Sequence, residues 1–206
     1  MSELTADNLH LWRGDLHVLR GLSFSLSQGQ CLQVIGANGA GKSSLLRALC
    51  GLLPLESGTV RWRGQDARSD LPAFQRQLAW LAHGAGLKAD LTPIENLRYA
   101  VGMRRHGNDS AIAGALDQLQ LDRDSQRRLV RQLSAGQQRR VGLARVLLLQ
   151  CPLWILDEPT SNLDEAGQQL FADCLQQHLS TGGAAIIATH QLLGLQGTQP
   201  TPLELH

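Results

Sequence analysis

No stretch of this 206-residue chain stays apolar for the roughly eighteen residues that a membrane-spanning helix needs, so no self-inserted helical span is expected. The start, Met1-Ser2-Glu3-Leu4, lacks a basic segment backed by an apolar one, and a secretory leader is not expected either. Cysteine is sparse and scattered. Cys31, Cys50, Cys151 and Cys174 show no C-x-x-C spacing and mostly apolar neighbours, which predicts buried reduced thiols and a cytosolic setting. Neither sign of charge is in excess: 19 basic and 18 acidic residues leave a net +1, without the global field that would draw nucleic acid, and no nucleic-acid partner is expected. Internal repeats, low-complexity tracts and sustained heptads are missing as well, which argues against a long coiled-coil insertion. The charge that is present is unevenly placed. Residues 92–145 hold ten arginines against five acids, and residues 146–206 have six acids with no Lys or Arg, a split that suggests two surfaces with different partners.

A hydrophobic content of 43% can fill the core of one domain carrying a small insertion. Residues 18–26 alternate Leu22, Phe24 and Leu26 with Ser23 and Ser25, as a half-buried strand does. Residues 31–35 form a short apolar run that enters a glycine-rich loop, and residues 43–50 read as the helix behind it. An edge strand is expected at 58–62 and buried strands at 78–82, 153–156 and 184–188, with only a short tail after the last. Thr92-Pro93-Ile94-Glu95 is a capping box with Pro at the first helical position, and a second helix is expected over 110–119. Ser134-Ala135-Gly136-Gln137 has the same capping pattern ahead of a helix over 136–149. Asp164 caps a helix whose apolar face is Leu170, Phe171, Cys174, Leu175 and Leu179, ending at Gly182-Gly183. Strands alternating with helices predict an α/β fold built on a parallel sheet, with a helical insertion between residues 92 and 132.

The loop Gly36-Ala37-Asn38-Gly39-Ala40-Gly41-Lys42-Ser43 carries the chemistry of phosphate binding. Its glycines let backbone N–H groups approach phosphate, Lys42 reaches the β- and γ-phosphates, and the Ser43 hydroxyl suits Mg²⁺; Ser44 adds to the nucleotide-binding set. The apolar strand Leu153-Trp154-Ile155-Leu156 ends in Asp157-Glu158. Asp157 is placed to hold Mg²⁺ directly or through water, and Glu158 to polarise the attacking water. About ninety residues beyond the loop, Leu133-Ser134-Ala135-Gly136-Gln137 presents a capped helix N-terminus, the Ser134 hydroxyl and the Gly136 N–H, all suited to a γ-phosphate.

The phosphate loop followed by LSAGQ and then Gln138-Arg139-Arg140-Val141-Gly142-Leu143-Ala144-Arg145 resembles the ATP-binding-cassette (ABC) ATPases, over nearly the whole chain from about Leu4 to Gln191. The resemblance implies a P-loop NTPase of the ABC ATPase fold: a mixed sheet in a RecA-like core, one domain over 1–206, with a helical subdomain inserted at about 88–150. It implies a homodimer that sandwiches two ATP with Mg²⁺, LSAGQ acting in trans on the partner's nucleotide. It further implies that Ser161-Asn162-Leu163-Asp164 is the loop joining the two sites, and that His190 is a switch histidine contacting the γ-phosphate and the water of Glu158. Two positions depart from the family pattern. His83 stands where most members have Gln, and imidazole is a poor ligand for Mg²⁺. The aromatic that stacks on adenine is expected near Trp12 or Arg13, and Trp12 fits either that role or simple core packing.

Small size, His83, LSAGQQRRV and the Thr189-His190-Gln191 end are most similar to the ATP-binding subunits of the cytochrome c maturation, or haem export, system. That likeness implies a peripheral ATPase on the cytoplasmic face of a bacterial inner membrane, joined to integral membrane subunits, whose hydrolysis drives release of a haem-loaded periplasmic chaperone. Haem is not expected to touch this subunit, since Cys151-Pro152 reads as a buried thiol ahead of a core strand. Arg98, Arg104 and Arg105 would dock on membrane subunits or anionic headgroups, or else form a solvated basic face. The ATPase of another small-substrate ABC transporter and a scaffold that uses ATP only to dimerise are the alternatives. DNA-repair members carry the long coiled coil that is missing here, and translation-factor members carry two cassettes in one chain.

Overall fold

A computed structural model describes residues 2–102, 108–190 and 199–205. Among them are two sheets. Strands β1 (Ser2–Arg13), β2 (Leu16–Ser27), β4 (Ser57–Trp62) and β5 (Gln65–Asp66) form an antiparallel sheet in the order β2-β1-β4-β5. Strands β3 (Cys31–Ile35), β6 (Leu78–Leu81), β7 (Leu153–Asp157), β8 (Ala184–Ala188) and β9 (Thr201–Glu204) form a parallel sheet in the order β6-β7-β8-β3-β9.

The strictly two-residue period of the parallel strands divides the core in two. Trp154 and Leu156 of β7, with Ala185 and Ile187 of β8, pack beside Phe171, Cys174 and Leu175 of α7 (Glu165–Ser180) and Val141 and Ala144 of α6 (Ala135–Leu149). The alternate residues Leu153, Ile155, Ala184 and Ile186 join Leu45, Leu46 and Leu49 of α1 (Lys42–Leu49) and Leu4, Leu9 and Leu11 of β1. The parallel sheet is thus held between a helical layer and an antiparallel layer. The helical layer also contains α3 (Pro93–Gly102) and α4 (Asp109–Gln118), both packed on α6, and the short α5 (Arg123–Arg127). A further short helix, α2 (Leu71–Arg76), precedes β6.

The three expected caps are present. Glu95 N–H donates to Thr92 Oγ1 at 3.3 Å while Glu95 Oε2 accepts from the Thr92 amide at 2.8 Å. Gln137 N–H donates to Ser134 Oγ at 3.2 Å while Gln137 Oε1 accepts from the Ser134 amide at 2.9 Å. Gly167 N–H donates to Asp164 Oδ1 at 3.1 Å. All four cysteines are buried outside any disulfide, and burial pushes the Cys31 thiol up to about 12 and that of Cys174 to about 11.

Two expectations need correction, and one further strand, β1, was not read from the sequence. The tail after β8 contributes β9, which pairs with β3 at the sheet margin; a single half-buried leucine and Pro202, tolerated because the strand is an edge, leave it without a readable period. The 58–62 strand is not an edge, because β5 pairs with its outer side through Arg61↔Asp66 and Trp62↔Gln65. β1 has no simple alternation: the register shifts between Ala6 and Leu9, beside the positive φ of Asn8, so Leu4 and Ala6 are in phase while Leu9 and Leu11 follow in the opposite phase. Arg104, Arg105 and Gln191 lie outside the described residues. Arg98 is exposed and paired with Asp109 through two hydrogen bonds of 2.8 and 2.7 Å.

Candidate active site

The Gly36–Ser43 loop runs from the end of β3 into the first turn of α1. Gly41, at the helix N-cap, has φ of 99°, and a Cβ there would fall 2.2 Å from Val18 Cγ1, so only glycine lets the chain turn against the hairpin. The Lys42 ammonium donates to the carbonyls of Gly36 at 2.7 Å and Ala37 at 3.0 Å. Its charge is thereby held inside the curl of the loop, next to the N–H groups that open α1.

An open cavity of about 640 Å³ lies in front of this loop, walled on that side by Asn38, Gly39, Gly41, Lys42, Ser43 and Ser44. Across from them stand Asp157 and Glu158, with Ser161, His83 and His190. Gly36, Ala37 and Ala40 belong to the loop but not to the cavity wall. The parallel sheet explains the convergence: β3, β6, β7 and β8 all end at this edge, and each hands its next residues to the cavity.

Asp157 is 2% exposed, and its Oδ2 has no hydrogen-bond partner. A buried carboxylate oxygen left unpaired at a cavity wall calls for a cation or its water. Among the described residues no group of three His, Cys, Asp or Glu side chains can cage a metal. Ser43 and Asp157, which line the same cavity, are the oxygen donors that would suit a hard cation such as Mg²⁺. Glu158 has a φ of 49°, a left-handed backbone that a carboxylate rarely adopts, and its N–H is anchored to the Ala188 carbonyl at 2.8 Å. Its Oε1 is buried without a hydrogen-bond partner and stands 3.4 Å from His190 Nε2. Carboxylate and imidazole therefore face one small volume beside the 36–43 loop.

Trp12 is not brought to this cavity. It is 49% exposed and stacks on His17, ring centroids 4.2 Å apart and planes 5° from parallel, which also excludes core packing. Arg13, Leu16 and Val18 of the same hairpin line the cavity in its place. Across the hairpin Trp12 is opposite His17, whereas Leu16 and Val18 alternate with His17 along β2.

The LSAGQ segment is also outside the cavity: none of residues 133–137 lines it. Leu133 is buried, and Ser134 is exposed at the tip of α6. The segment is laced instead to the loop 161–164. A Cβ on Gly136 would meet the Asn162 carbonyl oxygen at 2.6 Å, and Arg140 donates to Asp164 Oδ1 at 2.6 Å and to the Leu119 carbonyl at 2.8 Å. The Gly167 N–H and then the Arg140 charge hold the Asp164 carboxyl below its ordinary range.

Arg139 is a residue of this region whose part sequence reasoning missed. At 3% exposure its guanidinium donates to the carbonyls of Ala82 (3.0 Å) and His83 and to Ser161 Oγ (2.7 Å). Burial lowers its pKa, opposed by the negative charges of Asp157 and Glu158. The signal was available: Arg139 occupies the apolar stripe of α6, three, four and seven residues before Gly142, Leu143 and Val146, where a guanidinium must find buried acceptors.

Residues 19–161 match the family model described as ABC transporter. The chain is 45% identical over 94% of both chains to the cytochrome c biogenesis ATP-binding export protein CcmA of Methylococcus capsulatus. It is 44% identical to a protein of the same name from Cupriavidus pinatubonensis, over 92% of this chain and 84% of that one. Among solved structures, the ATP-binding subunit of an ABC transporter superposes with a TM-score of 0.86 at 25% identity, covering 100% of this chain and 86% of the other. A dimeric ATP-binding cassette with ADP and phosphate bound shares the fold at a TM-score of 0.80 and 22% identity, over 91% and 88% of the two chains.

Proposed function

This chain belongs to the ABC transporter family, and from that premise we propose that it is the ATP-hydrolysing subunit of a cytochrome c biogenesis, haem-export system. The observation that carries the reading is the meeting of Lys42, Ser43, Asp157, Glu158 and His190 around one cavity at the edge of the parallel sheet. Lys42 exchanges its loop carbonyls for the β- and γ-phosphates of ATP, and the N–H groups opening α1 take the remaining oxygens. Ser43 and Asp157 would hold Mg²⁺, which when bound would neutralise charge on the triphosphate. Glu158 orients a water in line with the γ-phosphorus and takes its proton as the oxygen attacks and ADP leaves, and His190 fixes that geometry from 3.4 Å.

LSAGQ reaches no nucleotide in its own chain, so its Ser134 hydroxyl and Gly136 N–H close over the ATP of a second copy. The assembly is a head-to-tail homodimer with two nucleotides at its interface, in which Ser161, Asn162, Leu163 and Asp164 meet across the two sites. The helices between about 88 and 150 form a subdomain that engages integral membrane subunits. His83, exposed at the cavity and tied through its backbone to α6, reports the nucleotide state to them without binding the metal. No helix among the described residues is long and apolar enough to cross a membrane. The chain sits peripherally on the cytoplasmic face of the inner membrane, and its turnover drives release of a haem-loaded periplasmic chaperone.

Glu158→Gln tests the core of this reading. Losing a positioned base lowers hydrolysis by about 10² to 10⁴, whereas ATP binding survives and a dimer trapped with ATP accumulates in light scattering. A variant as active as the parent removes Glu158 from the reaction. Affinity purification of the chain from membranes, with its integral partners identified, tests the export assignment separately.

A further inference from the structure

Arg139 makes contacts that neither nucleotide binding nor the LSAGQ cap requires. Its planar fork joins three acceptors on two loops: the carbonyls of Ala82 and His83, just after β6, and the hydroxyl of Ser161, just after β7. Both loops place residues on the wall of this chain's own cavity, His83 from one and Ser161 from the other. The guanidinium itself rides on α6, five residues after Ser134, or about 7.5 Å along a rigid helix. Ser134 lies outside that cavity, so one side chain connects the wall of one site to the tip that serves another.

The electrostatics bear on the same link. A guanidinium removed from water loses hydration, and here the charges of Asp157 and Glu158 offset part of that loss. These two acids are the groups that metal and attacking water engage, so filling the cavity changes the field holding Arg139 in place. Gly136 against the Asn162 carbonyl, and Arg140 on Asp164, fasten the same helix turn to the loop beyond Ser161. A displacement of the 82–83 or 161–164 loop therefore reaches the start of α6 through packed, hydrogen-bonded parts.

We infer that Arg139 is a positioning residue that couples the two nucleotide sites of the dimer, transmitting occupancy of this chain's own cavity to the Ser134 end of α6 that completes the partner's. The inference rests on the dimeric reading above. It adds a direction: the nucleotide in one chain sets the readiness of that chain's LSAGQ before the second copy arrives.

The test is amide hydrogen exchange on the full chain, at a concentration where sedimentation shows a single copy, with and without Mg-ADP. In the parent, nucleotide changes exchange at residues 137–141 by about tenfold, within the range usual for coupled sites. Arg139→Lys keeps the positive charge but cannot span three acceptors. It reduces that change to less than about twofold while nucleotide affinity stays within about threefold, a separation that general destabilisation does not produce. Ser161→Ala removes one bond only and serves if the lysine variant fails to fold; its response falls between the two. A parent whose 137–141 amides ignore nucleotide, or variants that respond as the parent does, overturns the inference and leaves the ATPase reading intact. Failure of the parent to bind nucleotide at all overturns both.

Discussion

The phosphate loop and the LSAGQ helix start both present backbone N–H groups at a helix N-terminus, yet they are built in opposite ways. The loop is complete within the chain: Lys42 is buried on its own carbonyls, Gly41 is wedged against Val18, and carboxylates stand across a shared cavity. Around LSAGQ the first turn is capped by its own Ser134 and Gln137 and braced by Asn162 and Arg140, but none of residues 133–137 lines that cavity. On the proposed reading the difference teaches that phosphate affinity belongs to one chain and phosphate closure to two.

The largest effect that could break this comparison comes from Lys42→Ala. Charge-assisted hydrogen bonds contribute about 1.5–3 kcal/mol each, so losing the ammonium lowers ATP affinity of the single chain by about 100-fold or more, as titration calorimetry would read. Ordinary affinity in that variant would place the triphosphate elsewhere. Ser134→Ala is the counterpart. Single-chain affinity stays within about twofold, because the hydroxyl does not line the cavity in front of the 36–43 loop, while ATP-driven dimerisation and hydrolysis fall by about tenfold, the worth of one good hydrogen bond. Loss of the cap also removes about 1 kcal/mol of stability, so a melting curve is needed beside the turnover assay. A fall in single-chain affinity equal to that of Lys42→Ala would erase the distinction between the two ends.

How much of this was legible in the sequence differs between the same two regions. That residues 36–43, Asp157 and Glu158 belong together, and the caps at Thr92, Ser134 and Asp164, were readable because each rests on a short local pattern, the caps on residues three apart. β1 was obscured because its bulge near Asn8 reverses the phase of the buried leucines, and β9 because an edge strand with Pro202 needs no apolar alternation. Arg139 was passed over for a related reason. Two of its three acceptors are backbone carbonyls 57 and 56 residues away, and carbonyls leave no mark on a sequence. The separation of LSAGQ from the cavity came only from the family resemblance, since no spacing shows which molecule a helix end serves.

A smaller effect concerns the bracing of the exposed region. The Asp164 carboxylate caps α7 through Gly167 and pairs with Arg140, and both interactions hold its folded pKa below the ordinary value. A depressed carboxylate pKa gives stability that is fully present above the unfolded value of about 3.9 and is lost as pH falls through the folded one. The melting temperature of the parent should therefore exceed that of Asp164→Asn at pH 7, and the gap should close in acid as Asp164 protonates. A gap constant from pH 7 to 2 would show that the carboxylate charge is not what fastens α7 to α6.

The smallest expected effect tests where the cavity ends. Trp12 was the aromatic candidate for the adenine face, but its ring is committed to His17, which in turn shares a 3.1 Å hydrogen bond with His10 on the same outer surface. Stacking on another base would require breaking that pair and rotating the indole to the opposite face of the hairpin, where Leu16 and Val18 already form the wall. Trp12→Ala should leave ATP affinity within about twofold, because an exposed ring stacked on imidazole gives up little when truncated and does not line the cavity. Calorimetry on this variant beside Arg13→Ala separates the two hairpin faces: a loss confined to Arg13→Ala keeps the base on the Arg13, Leu16 and Val18 side. A loss of tenfold or more in Trp12→Ala would mean that the hairpin turns over when ATP binds, making the self-contained phosphate end as dependent on rearrangement as the LSAGQ end.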